Sequence, residues 1–143
     1  MIRTIQLTDA KAIRDISEFS LGYKTTEAVT ERQIAKLISD NRHFMRVYED
    51  DETHTVVGFI HAEAYELLFE EAGFNILELA VSSEHQHKGI GKQLLGAVEA
   101  EAAARNYHFI RLNSGEHRTD AHAFYEHCGY SCTKLQKRFI KEW

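Results

Sequence analysis

Two glycines, Gly89 and Gly91, lie between a strand-like segment and a helical pattern, an arrangement that can bind an anion. The apolar segment Ile76-Leu77-Glu78-Leu79-Ala80-Val81 precedes them, and apolar side chains at the spacing of one helix face follow them. The first backbone N–H groups of a helix have no intrahelical partner, and the helix dipole adds partial positive charge there. A phosphate group is the natural ligand of such a turn. Lys88 and Lys92 can supply counter-charge.

The residues around these glycines argue against two common nucleotide-binding motifs. A P-loop requires a glycine five residues before its Gly-Lys pair and Ser or Thr after it, but Gln86 and Gln93 occupy those positions. A dinucleotide fingerprint requires a third glycine where Leu94 stands. The turn therefore indicates a phosphate site of another class.

Length and composition indicate a single globular domain over residues 1–143. Of these residues 43% are hydrophobic, yet no apolar run approaches the ~20 residues that span a membrane. A net charge of −5 argues against nucleic-acid binding and leans towards a cationic partner. The first five residues lack the apolar region of a signal peptide, and two cysteines are too few for a disulfide scaffold. We therefore expect a cytoplasmic protein that binds neither nucleic acid nor membrane.

Hydrophobic periodicity predicts alternating strands and helices, which glycine and polar residues must end because the chain has no proline. Strands are expected at residues 2–7, 44–48, 56–65, 76–81 and 109–112, with a closing pair within 130–140. Helices are expected after residue 9, on the apolar set within 29–38, from residue 90, and at 120–127. The order β-α-α-β-β-β-α-β-α-β-β mixes antiparallel hairpins with one βαβ crossover, so the fold class is α+β, or mixed α/β.

Two segments of the chain resemble the signatures of the GCN5-related N-acetyltransferases (GNAT family). Gln86-His87-Lys88-Gly89-Ile90-Gly91 matches Arg/Gln-x-x-Gly-x-Gly/Ala, with which that family binds the pyrophosphate of acetyl-coenzyme A. Ala121-His122-Ala123-Phe124-Tyr125-Glu126-His127-Cys128-Gly129-Tyr130 is similar to the second signature, Ala-x-x-Phe-Tyr-Glu-x-x-Gly-Phe/Tyr. The predicted order is also that of the family fold, a central, mostly antiparallel mixed sheet flanked by helices. The resemblance covers essentially the whole chain and is strongest to small bacterial members.

The resemblance implies an N-acetyltransferase with acetyl-coenzyme A as its acetyl donor. In the family the pantetheine arm lies beside the central strand like an additional strand, where a backbone N–H would also polarise the thioester carbonyl. Arg118 stands where many members carry Asn, so no pantetheine contact is carried over to that position. The implied cofactor-binding residues are Leu79, Ala80, Val81, Gln86, His87, Lys88, Gly89, Ile90, Gly91, Lys92, Asn113 and Tyr125.

Acetyl transfer to an amine needs a proton acceptor, because at a pKa of about 10.4 only about 1 in 2,500 amine molecules is neutral at pH 7. Glu78 is the expected base, since a carboxylate in an otherwise apolar strand is costly to bury without a partner or a task. Glu78 also resembles the acidic residues that related enzymes carry at this strand position. A strand-end glutamate facing solvent is the alternative interpretation. The other candidate bases are His61, Glu63, His117 and a water chain.

Tyr125 matches the family's tyrosine that donates a proton to the sulfur of coenzyme A, and packing beside Phe124 is its alternative role. No Cys-x-x-Cys or His-Glu-x-x-His pattern is present, so no metal site is expected.

The acceptor is expected to be a small-molecule primary amine that attacks directly in a ternary complex. Its wall is expected to include Phe19, Tyr23, Tyr65 and Glu78, but these positions carry no transferable signature. A protein N-terminus or lysine, an aminoglycoside and a polyamine therefore all remain open. The competing class is a regulatory module that binds acyl-coenzyme A without turnover, and the presence of Tyr125 and Glu78 argues against it. Dimers are common among related proteins, so a homodimer is compatible with the resemblance.

Overall fold

A five-stranded sheet is the framework that positions the predicted site. Its strands are β1 (Ile2–Thr4), β2 (His43–Glu49), β3 (Val56–Leu67), β4 (Glu70–Val81) and β5 (Ile110–Leu112). They neighbour one another in that order, and every pair is antiparallel except β4 and β5, which are parallel. The strands β3 and β4 have 12 residues each, whereas β5 has only three.

Four α-helices accompany the sheet in this computed structural model, which describes residues 1–143. They are α1 (Ala10–Ile16), α2 (Glu27–Leu37), α3 (Ile90–Ala104) and α4 (Thr119–His127), and a π-helical turn (Ser17–Leu21) follows α1. The chain divides into two compact units: residues 1–113 hold the sheet and three helices, and residues 114–143 hold α4. None of the helices is both long and apolar enough to cross a membrane.

The predicted α+β class is confirmed, and the elements from β1 to α4 follow the predicted order. Observed strand boundaries are wider than predicted for β3 and β4. They are narrower for β1, which was expected to reach residue 7 but ends at Thr4, and Leu7 instead begins a short 3₁₀ turn (Leu7–Asp9). Hydrophobic periodicity therefore located the elements better than it located their ends.

The predicted pair of closing strands within residues 130–140 is wrong. Residues 128–143 form neither helix nor strand in the structure. The side chains that alternation would bury are exposed, Leu135 at 83% and Phe139 at 90%. A pair of strands is marginal in water unless one of its faces is covered, and basic residues recur through this segment.

Helices cover both faces of the sheet. On the first face, α1 and α2 pack against an apolar cluster from the strands, which contains Met45, Val47, Phe59 and Ala80. On the second face, α3 buries the side chains that its periodicity predicted, Ile90, Leu94, Leu95, Val98 and Ala102. Gly58 permits this close approach, because a Cβ at its position would lie 3.3 Å from atoms of Ile90 and Leu94. The sheet therefore lies between two helical layers.

An ion-pair network ties β1 to the turn that starts α1. Arg3 donates two hydrogen bonds of 2.9 Å to the Asp9 carboxylate and one of 3.0 Å to Glu49. Asp9 also accepts a hydrogen bond of 2.8 Å from the backbone N–H of Gln6. Because Asp9 is only 5% exposed, its charge depends on these partners.

Replacing Asp9 tests this network. Asp9→Ala is expected to lower the free energy of unfolding by about 3 kcal/mol, because it leaves the poorly exposed Arg3 guanidinium without its bidentate partner. Lys11→Ala, which removes an exposed ion pair to Asp15, should cost no more than about 0.5 kcal/mol. Urea unfolding followed by circular dichroism measures both, and equal losses would contradict a special role for Asp9.

Candidate functional site

The strand β4 extends beyond its neighbour β5. Along β4 the pairing with β3 runs from Glu70 to Val81, whereas β5 pairs only with residues 74–76. The edge of residues 77–81 that faces away from β3 therefore has no neighbouring strand. Backbone polar groups in folded proteins are almost always paired, so this edge is suited to an extended ligand with donors and acceptors.

The peptide groups of Leu79 and Val81 face this open edge. The N–H of Ser82 donates to the carbonyl of Val57 on β3 at 2.8 Å, and backbone groups alternate between the two edges of a strand. The peptide of Ala80 therefore belongs to the ladder with β3. Of the main-chain groups predicted to bind a ligand, those of Leu79 and Val81 point to the open edge, whereas those of Ala80 point to β3.

The carbonyl of Val81 is already hydrogen-bonded. It accepts from Ser20 Oγ at 2.9 Å and from Gln86 Nε2 at 3.2 Å. Gln86, predicted to bind the cofactor, thus links the end of β4 to the glycine turn with its side chain. The N–H of Val81 and both backbone groups of Leu79 remain directed at the edge.

The glycine turn has the geometry of an open anion site. His87 and Gly89 have left-handed backbone conformations, with φ of 64° and 80°. α3 begins at Ile90 without a side-chain cap and without an acidic residue in its first turn. Its first N–H groups, which include those of Gly91 and Lys92, therefore have neither an intrahelical acceptor nor a capping side chain. Lys88 and Lys92 are exposed beside them, as expected for a phosphate site.

A β-bulge turns Glu78 towards the first face of the sheet. Ile76 pairs with Ala62 and Glu78 pairs with His61, so Leu77 has no partner on β3. Ala62 and His61 are consecutive and point to opposite faces, and therefore Ile76 and Glu78 do so as well. Simple alternation would have placed residues 76 and 78 on one face.

Glu78 is half-buried and held by one serine. Ser17 Oγ, itself buried, donates a hydrogen bond of 2.5 Å to Glu78 Oε2. Burial raises the pKa of Glu78 above the ordinary range of a glutamate, and the Ser17 hydrogen bond partly opposes that rise. A carboxylate with a raised pKa and a fixed orientation is a better proton acceptor than an exposed one.

The histidine opposite Glu78 is neutral. Burial lowers the pKa of His61 to about 4, and the neighbouring His43 acts in the same direction. The Nε2 atom of His61 lies 2.9 Å from Nδ1 of His43, so one ring donates to the other. With so low a pKa, His61 is a weaker candidate base than Glu78.

The π-helical turn brings two serines against β4. Ser17 contacts Glu78 and Ser20 contacts the Val81 carbonyl, so one turn holds both the carboxylate and the end of the strand. Phe19, on the same turn, is 84% exposed, and Tyr23, just beyond it, is 57% exposed. The predicted acceptor-binding aromatics Phe19 and Tyr23 are therefore surface side chains of this segment. π-Helical turns frequently occur at functional sites.

A row of polar side chains crosses four strands on the same face as Glu78. The β-sheet register places His43 opposite Glu63, Glu63 opposite Asn75, and Asn75 opposite Arg111. Because opposite residues of neighbouring strands share a face, these four side chains form a continuous polar row next to the pair His61 and Glu78. We call His43, Glu63, Asn75 and Arg111 the polar row.

Three residues predicted for the site belong to this region. Glu63, an alternative base, accepts a hydrogen bond of 3.1 Å from Asn75 Nδ2. Tyr65 lies under the Arg111 guanidinium, with 4.9 Å between Arg111 Cζ and the centroid of the Tyr65 ring. Asn113 accepts a hydrogen bond of 2.8 Å from Arg111 Nη2.

In the second unit, α4 carries Tyr125. Its ring packs edge-on against Phe124 and Tyr130, with centroids 5.2 and 6.0 Å away. Burial raises the pKa of Tyr125, and Arg118 acts in the opposite direction. The phenol is therefore protonated at neutral pH and can donate a proton.

The second unit also contains His117 and Ser114. His117, an alternative base, is exposed. The hydroxyl of Ser114 is buried and has no hydrogen-bond partner within the protein.

Sequence reasoning missed Ser17, Ser20 and Arg111. The two serines look like ordinary polar positions of an amphipathic helix, and only the widened π turn directs both at β4. Arg111 is one cation in a short strand, and its polar neighbours come from other strands. The spacing of Ser17 and Ser20 next to an apolar helix face was the one available signal.

Solved structures with the same fold include proteins of different described roles. A transcriptional regulator from Bacillus halodurans superposes with a TM-score of 0.87 at 19% identity, covering 99% of each chain. An aminoglycoside 6′-N-acetyltransferase from Acinetobacter haemolyticus superposes with a TM-score of 0.84 at 14% identity, covering 100% of this chain and 99% of that one. At such identities the likeness shows the fold alone.

Sequence comparison identifies the family. An uncharacterized N-acetyltransferase of Chlorobaculum tepidum is 28% identical over 144 aligned residues, which cover 99% of this chain and 80% of that protein. The model of the acetyltransferase (GNAT) family matches residues 10–130, which include the Glu78 strand, the glycine turn and Tyr125. The chain belongs to the GNAT family of acetyltransferases and is an N-acetyltransferase.

Proposed function

We propose that this protein transfers an acetyl group from acetyl-coenzyme A to the primary amine of a small molecule by direct attack in a ternary complex. The observation that carries the proposal is the half-buried Glu78, which Ser17 orients beside the open edge of β4. A base is thereby held next to backbone groups that can bind a thioester.

The residues present fit coenzyme A. The uncapped start of α3, with Lys88 and Lys92, suits a pyrophosphate, and the edge at Leu79 and Val81 suits the amides of a pantetheine arm. Asn113 is proposed as a further contact to this arm. When bound, acetyl-coenzyme A supplies an acetyl group activated as a thioester.

Glu78 is proposed to take one proton from the ammonium group of the acceptor, which leaves a neutral amine that can attack. As the amine nitrogen bonds to the thioester carbonyl carbon, the backbone N–H of Leu79 or Val81 stabilises the developing charge on the carbonyl oxygen. The carbon–sulfur bond then breaks, and Tyr125 donates its proton to the leaving thiolate. The second proton lost by the amine nitrogen returns to the Tyr125 phenolate, and Glu78 releases the proton it accepted to solvent. The products are the N-acetyl amine and the free thiol.

The competing function is a module that binds acetyl-coenzyme A without turnover. A thiol-release assay across a panel of primary amines separates the two, with acetyl-coenzyme A binding measured in parallel by calorimetry. Thiol release that depends on an amine supports the proposed acetyl transfer. Binding of acetyl-coenzyme A without thiol release from any amine would contradict the proposed acceptor chemistry.

Removing the proposed base tests its role. Glu78→Gln keeps the size of the side chain but cannot accept a proton, so kcat should fall by about 10²- to 10⁴-fold, and the loss of kcat/KM at low pH should disappear. Glu66→Gln, an exposed glutamate on β3, serves as the control and should keep wild-type activity. An unchanged kcat in Glu78→Gln would assign proton removal to water.

Removing the hydrogen bond from Ser17 should shift the pH dependence of the activity in a defined direction. This bond lowers the pKa of Glu78, so Ser17→Ala should raise it further. The base is active only when deprotonated, and the low-pH limb of kcat/KM should therefore move to higher pH. A shift to lower pH would be inconsistent with Glu78 as the base.

Tyr125→Phe should lower kcat by about a hundredfold and leave the affinity for acetyl-coenzyme A unchanged, because only the proton donor is lost. The effect should lie near the low end for acid catalysis, since a thiol of pKa about 8.5 already leaves readily. Steady-state kinetics and calorimetry measure the two quantities, with Tyr48→Phe as the control. Unchanged turnover would remove the acid role of Tyr125.

Charge introduced at Gly89 tests the pyrophosphate site. Asp tolerates the left-handed conformation at this position, and a Cβ there would meet no atom within 4 Å, so Gly89→Asp should fold. Its carboxylate should weaken acetyl-coenzyme A binding about tenfold or more relative to the neutral control Gly89→Asn. The difference should shrink in 1 M salt. Equal affinities in the two variants would place the pyrophosphate elsewhere.

A further inference from the structure

Arg111 is a cation held entirely by uncharged groups. Its Nη1 donates to Asn75 Oδ1 at 2.6 Å, its Nη2 donates to Asn113 Oδ1 at 2.8 Å, and the Tyr65 ring lies beneath it. Arg3 and Arg105, by contrast, are paired with carboxylates. The guanidinium of Arg111 is therefore oriented without being neutralised.

The amide of Asn75 keeps Arg111 apart from the nearest carboxylate of the polar row. Asn75 Nδ2 donates to Glu63 Oε1 while Asn75 Oδ1 accepts from Arg111, so the amide has one functional orientation. Opposite charges consequently stand on the two sides of one neutral residue. A surface with this pattern is complementary to a molecule that carries both a positive and a negative group.

The donors that remain on Arg111 suit an oxyanion. A guanidinium has five N–H donors, and the two asparagines use two of them. Carboxylate and phosphate groups accept parallel pairs of such donors, which makes these contacts strong and directional. The ring of Tyr65 stacks on the guanidinium plane and limits its rotation.

The position of Arg111 relative to Glu78 sets the size of the bound molecule. Along β4, Asn75 is the residue that precedes Glu78 on the same face of the sheet. Arg111 lies opposite Asn75 on β5. The two Cα atoms are thus separated by about 7 Å along the strand and about 5 Å across it. An amine at Glu78 and an anion at Arg111 would belong to one molecule if several bonds separate them.

We infer that the acceptor is a primary amine that carries a carboxylate or phosphate group several bonds from the nitrogen, and that Arg111 binds this anionic group. The inference rests on the proposed function, because it places the amine at Glu78. It names Arg111 as the residue that determines specificity, and it disfavours polyamines and aminoglycosides, whose additional charges are positive.

Matched acceptors test the inference. 5-Aminopentanoate is compared with its uncharged amide and with 1,5-diaminopentane, and phosphoethanolamine is compared with ethanolamine, with kcat/KM measured by thiol release. The wild type should prefer the anionic member of each series by about 10- to 100-fold, as expected for charge-assisted hydrogen bonds. A preference for only one series identifies the anion as carboxylate or phosphate. Preference for the amide, ethanolamine or the diamine would overturn the inference.

Variants of Arg111 assign the preference to this residue. Arg111→Gln should abolish it, and Arg111→Lys should keep part of it, while acetyl-coenzyme A affinity stays unchanged. Arg46→Gln is the matched control, since Arg46 also stacks on an aromatic ring but lies on the other face of the sheet, and it should keep the preference. If Arg111→Gln weakens acetyl-coenzyme A binding and slows all amines equally, Arg111 positions Asn113 instead and the inference fails.

Failure of the proposed function is distinguishable from failure of this inference. If no amine releases thiol, calorimetry of the same amines with the coenzyme A complex still measures the charge preference. Binding of the anionic amines that disappears in Arg111→Gln would then support the anion site and contradict only the catalytic proposal. Absence of that binding would contradict both.

Discussion

The site depends on the mismatch in length between β4 and β5. Because β5 pairs with only three residues of β4, the peptide groups of Leu79 and Val81 have no partner strand. Polar backbone groups that stay unpaired in a folded protein are costly, so this stretch is most stable with a hydrogen-bonding ligand beside it. The glycine turn and the uncapped start of α3 follow directly along the chain, so unpaired backbone donors continue from the strand into the helix.

Two local irregularities make this edge usable for chemistry. The bulge at Leu77 changes the face to which Glu78 points, and the π-helical turn changes the direction of Ser17 and Ser20. In a regular strand Glu78 would share the face of Ile76, which packs in the α3 layer. Each irregularity alone would leave the carboxylate either on the wrong face or without its hydrogen-bond donor.

These irregularities also explain how far the sequence could be interpreted. The periodicity of residues 90–102 and the glycine pattern reflect local constraints, and they predicted α3 and the uncapped turn before it. Glu78 was singled out because its charge conflicts with its neighbours, but alternation alone could not give its face. The polar row could not be predicted from the sequence, since its four members are brought together by the register of four strands. The expectation for residues 130–140 failed because apolar residues without a covering surface do not specify a strand.

The neutral state of His61 helps to make Glu78 a proton acceptor. A protonated imidazole opposite Glu78 would stabilise the carboxylate and lower its pKa, which would make it a weaker proton acceptor. Burial lowers the pKa of His61 to about 4, and the nearby His43 lowers it as well, so no such cation forms near neutral pH. The same low-dielectric surroundings raise the pKa of Glu78. Burial thus acts in opposite directions on the two neighbours, and both shifts strengthen Glu78 as the base.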